Sequence, residues 1–66
     1  MDRSHLHIVV QLARLYGIAE TLHPMRPRSN DEITALILSW ADDYTRSGAQ
    51  DLSGFFAQAV APEYDE

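Results

Sequence analysis

The chain has no cysteine and no lysine, only three glycines and three prolines, and no apolar run of the length that spans a bilayer. Each absence excludes something. Without cysteine there are no disulfides and no thiolate zinc sites. The longest apolar candidate, IVVQLARLYGIA, carries Gln11 and Arg14 and falls short of the roughly 20 apolar residues that a membrane helix needs. The opening MDRSHLH lacks the n-region and cleavage pattern of a signal peptide. Gly17, Gly48 and Gly54 are too far apart to form a phosphate-cradling loop. These features predict a soluble cytoplasmic protein that does not engage a membrane.

What is present is little: 66 residues with a formal charge of −5. A chain of this size buries only about 60% of the surface its unfolded form exposes. Ordering it costs roughly 1.5 kcal/mol per residue, which nearly cancels the hydrophobic gain. With disulfides and thiolate metal sites excluded, a second subunit is the expected supplement. The charge is uneven. Residues 1–28 carry Arg3, Arg14, Arg26 and Arg28 against Asp2 and Glu20, about +2. Residues 29–66 carry Arg46 against Asp31, Glu32, Asp42, Asp43, Asp51, Glu63, Asp65 and Glu66, about −7. An acidic balance of this kind disfavours nucleic acid and favours a larger protein with a basic surface.

Periodicity predicts an all-α chain, a helical hairpin plus a short third helix, packed as a homodimeric helix bundle. The first helix spans about residues 4–22, with Ile8, Leu12, Leu15, Ala19 and Leu22 at spacings of three and four. Val9 and Tyr16 flank that stripe, and Leu6, Val10 and Ala13 carry apolar character round more than half the cylinder, where a surface helix needs one stripe. His23 and Arg26 each precede a proline and are held extended, so helix and hinge meet near Leu22. SNDE then gives a capping box, Ser29 with Glu32, opening a second helix over 30–46, with Asn30 as the alternative N-cap. Its stripe is Ile33, Leu36, Ile37, Trp40, Ala41 and Tyr44, with Leu38 nearly opposite. Arg46 and Gly48 suit its end. Asp51 is the expected cap of a third helix over 51–60, whose apolar face is Leu52, Phe55, Phe56 and Ala59. One domain therefore covers 1–61, and the acidic tail 62–66 is expected to be disordered.

No catalytic residues, cofactor or metal site are expected. His5 and His7 diverge by about 200° on a helix, and no third ligand stands at metal spacing. Asp42 and Asp43 are adjacent and do not face each other. PMRPR matches a PxxP pattern, which two prolines in a short connection also explain. Leu6, Val10, Ala13 and Leu38 are the interface candidates, because three short helices have no evident place to bury them. Glu32, Asp42 and Asp43 are read as an acidic face that steers a partner. The expected function is a non-catalytic module that masks or regulates a larger protein, as inhibitors, antitoxins, adaptors and phage or plasmid counter-defence proteins do.

An alternative follows if SHLHIVV is a strand. The order strand, helix, helix over residues 3–46 then resembles the ribbon-helix-helix repressors. That resemblance implies a dimeric ribbon in the major groove and a helix N-terminus on phosphate, with Arg26, Arg28 and Ser29 as the phosphate contacts.

Overall fold

The computed structural model describes residues 3–64 and is helical. Three α-helices follow one another: α1 (Arg3–Leu22), α2 (Asn30–Ser47) and α3 (Leu52–Val60). A single 3-10 turn, Ala61–Glu63, follows α3 directly. Residues 4–10 lie inside α1, so the strand required by the repressor resemblance is replaced by about two turns of helix. The reason is the apolar spacing. Ile8, Leu12 and Leu15 fall on one side only if the backbone is helical, and Leu12 is completely buried there.

The chain's own punctuation sets the helix ends. Ser29 adopts an extended backbone, and its hydroxyl accepts a hydrogen bond from the Glu32 backbone N–H at 3.2 Å. The same hydroxyl donates to the Glu32 carboxylate, which closes the box through the side chain. At the other end Gly48 takes φ 71°, a left-handed conformation that glycine adopts without steric cost. Asp51 stands at the start of α3 in an extended conformation, and its carbonyl accepts from Phe55 N–H. Its carboxylate makes no capping bond, contrary to the expected cap.

The core lies where the three helices meet. Leu12, Tyr16 and Ala19 come from α1, Ile37, Trp40 and Ala41 from α2, and Phe56 and Val60 from α3. Trp40 is central. Its ring stands 6.2 Å from that of Tyr16 and 5.8 Å from that of Phe56, the latter edge to face. A second pair, Tyr44 and Phe55 at 5.4 Å, fastens α2 to α3. The Cα envelope measures 33 × 23 × 16 Å. The shortest dimension matches two helix layers spaced by about 8–10 Å. Helix α1 can therefore be covered from one side only.

The C-terminal segment departs from expectation. Residues 62–64 do not trail away as a disordered tail but dock onto the hinge between α1 and α2. The Arg26 backbone N–H donates to the Glu63 carbonyl at 3.0 Å, and Met25 and Tyr64 form an isolated antiparallel bridge. Tyr64 also packs its ring 5.1 Å from that of His23. The physical reason is that Pro62 keeps the chain turning after α3 and so delivers Glu63 to Arg28. The last two residues of the expected tail, Asp65 and Glu66, lie outside the described residues.

Candidate functional site

The outer face of α1 is the largest feature that the core does not absorb. Leu6, Val10, Ala13 and Gly17 recur at i, i+4, i+7 and i+11, so they form one stripe, roughly opposite the side holding Leu12 and Ala19. All four are exposed, with Leu6 at 52% and Val10 at 41%. A Cβ placed on Gly17 would meet nothing within 4 Å, so the lower end of the stripe is an open notch between larger side chains.

The register of the hairpin sets the level of Leu38 on α2. The His5 ring nitrogen lies 3.1 Å from the Asp42 carboxylate, tying the first turn of α1 to the last turns of α2. In an antiparallel pair that contact sets Leu38, one turn before Asp42, level with Val9. Leu38 is 36% exposed. Leu6, Val10, Ala13 and Leu38 are thus all exposed within the single chain.

The structure also exposes one residue that the pattern assigned otherwise and one that it left unassigned. Leu22 is 71% exposed, although its spacing places it in the core stripe, and Ile18 is exposed beside it. Pro24 ends α1 just beyond them.

The acidic residues do not form one face. Asp42 points toward α1 and His5, whereas Asp43 pairs with Arg46 at 2.8 Å on another side of α2. Glu32 lies on the Asp43 side, 3.6 Å from Arg28. Successive residues on a helix are about 100° apart, so Asp42 and Asp43 were bound to diverge. Each of the three carboxylates remains more than half exposed but already has an internal cation or imidazole neighbour.

The hinge is equally committed. Arg28 binds the Glu63 carboxylate through Nε at 2.7 Å and through a terminal nitrogen at 2.6 Å, both onto the same oxygen. Ser29 uses its hydroxyl on Glu32. Of the three residues proposed to hold a phosphate, only Arg26 has a side chain with neither an ion pair nor a hydrogen bond among the described residues. The repressor reading thus loses both its ribbon and most of its clamp. The buried Tyr16 senses this cluster: burial raises its phenol pKa, Glu20 and Glu63 add to the rise, and Arg28 opposes it.

Little else has the makings of a site. A shallow open depression at the α2–α3 corner is lined by Ala49, Gln50, Asp51, Gly54, Phe55 and Gln58, with Asp51 its one ionisable side chain. Among the described residues no three His, Asp or Glu side chains are grouped to hold a metal ion. No helix there is long and apolar enough to cross a membrane. Compared with protein-family models, with characterised proteins and with solved structures, the chain matches none.

Proposed function

We propose that this protein is a small, non-catalytic acidic module that pairs with a second copy of itself and masks or regulates a larger protein with a basic surface. Inhibitors, antitoxins, adaptors and counter-defence proteins share that physical description. The observation that supports it is the exposure of Leu6, Val10 and Leu38, which the core leaves uncovered. Apolar area of this kind is stabilised by about 25 cal/mol per Å² when a partner removes it from water. Among the described residues no further element does so. The open notch at Gly17 suits a close helix crossing, in which a larger side chain such as Leu6 of a second copy enters the gap.

The charge supplies the second half of the reading. A net −5 steers the module toward cationic surfaces and away from duplex DNA. Sedimentation at micromolar concentration tests the pairing. The wild type should sediment as a dimer, and Leu6→Glu should yield a monomer with unchanged helicity, because Leu6 already faces solvent within one chain. A wild type that stays monomeric throughout that range would sink this reading.

A further inference from the structure

We propose that the docked segment Ala61–Tyr64 is an internal occupant of a peptide-binding seat, and that the seat accepts a like segment from outside, an acidic residue closing a tight turn and an extended aromatic residue after it, when its own occupant lifts. The inference does not depend on the dimer or on a basic partner.

The seat has three parts, all on or beside the hinge. Arg28 directs two donors at one carboxylate oxygen of Glu63, at 2.6 and 2.7 Å. The extended backbone at Met25 and Arg26 pairs with Glu63 and Tyr64 as a strand edge would, through the antiparallel bridge and the Arg26 N–H. His23 gives Tyr64 an aromatic neighbour. A carboxylate at the end of a tight turn and an aromatic ring on the extended residue that follows it are what this arrangement reads. Strand addition of this type draws affinity from the main chain and specificity from side chains. Pro24 and Pro27 have no N–H to offer, so the edge is limited to one or two residues and the recognised motif is short.

The occupant is built to be replaceable. The segment itself is one 3-10 turn and one bridge, with no helix of its own, and such short elements open at far lower free energy than a core. Tethering to α3 nevertheless gives it a local concentration on the order of millimolar. A free peptide of equal contacts therefore cannot displace it at micromolar levels. The segment acts as a threshold that excludes weak acidic ligands.

The test uses the full-length chain carrying Glu63→Gln and Tyr64→Ala, titrated with a synthetic peptide of residues 61–66. The readouts are the Arg28 Nε–Hε and Arg26 amide resonances. In the double variant the peptide should shift both saturably at about millimolar concentration, and in the wild type it should shift neither. Adding Arg28→Ala, or replacing the peptide's Glu63 by Gln, should weaken binding at least tenfold. No saturable shift in a folded double variant overturns the proposal, and so does equal binding without Arg28. Should the double variant not fold, hydrogen exchange of the wild type decides. The Arg26 amide should exchange at least tenfold faster than the α2 amides near Trp40. An Arg26 amide that exchanges only with global unfolding would show that the segment does not lift, and the proposal fails.

Discussion

Replacing Trp40 by alanine removes the one side chain in contact with rings from both of the other helices. The indole is buried, and its neighbours Tyr16 and Phe56 sit at 6.2 and 5.8 Å. Truncating a buried tryptophan costs about 3–5 kcal/mol through lost transfer energy and the cavity left behind. Each aromatic contact adds roughly 0.5–1.5 kcal/mol beyond area burial. A domain of this length holds about 0.05–0.15 kcal/mol per residue, or roughly 3–10 kcal/mol in total. Trp40→Ala therefore removes a third or more of the stability and leaves the weaker half of that range unfolded. In thermal denaturation followed by circular dichroism, about 4–8 °C per kcal/mol translates the loss into a midpoint at least roughly 12 °C lower. Trp40→Phe, which keeps a ring in the same place, should recover much of the difference. A shift of about 5 °C or less for the alanine variant would refute the reasoning, because it would place the indole outside the three-helix junction.

Three other outcomes follow from the same structure. Ser29→Ala should cost about 1 kcal/mol in urea unfolding, since the Glu32 N–H loses its acceptor at the start of α2. Stability should fall above about pH 10, and less so in Tyr16→Phe: a phenol whose pKa is raised by folding contributes fully below its unfolded value, and that contribution is lost as pH climbs through the native one. Urea midpoints at pH 8 and above 10 measure this. In a gel shift at about 0.15 M salt no duplex DNA should be retarded, because Arg28 is held by Glu63 and the net charge is negative. Specific retardation would restore the phosphate-clamp reading.

The local parts of this fold were legible because they depend on neighbours in sequence. Ser29 and Glu32 are three residues apart, and Gly48 ends α2 by its own backbone geometry, so both were readable as they stand. The stripe Ile33, Ile37, Trp40 and Tyr44 announced the core face of α2. The candidate interface was legible for a related reason: Leu6, Val10 and Ala13 exceed what one stripe needs. What escaped notice is long-range. The contact of His5 with Asp42 spans 37 positions and depends on the hairpin's register, which no local pattern fixes. Glu63 lay in a segment with the composition of a solvated tail. Only the direction in which α3 leaves the core brings it to Arg28.

That last contact has a topological meaning. Arg28 and Glu63 are 35 positions apart, so their contact and the Met25–Tyr64 bridge close α2 and α3 into a ring of chain. Proteins with cysteine commonly seal such rings covalently. Antiparallel bridge partners hold their Cα atoms about 4.5–5.5 Å apart, within the span of a disulfide. Cysteines at Met25 and Tyr64 would close a loop of about 40 residues and restrict the unfolded chain by about 4 kcal/mol in the chain-entropy model. The native ring confers none of this, because an ion pair and a bridge vanish on unfolding and leave the denatured ensemble unrestricted. In exchange, opening the ring requires no covalent bond to be broken.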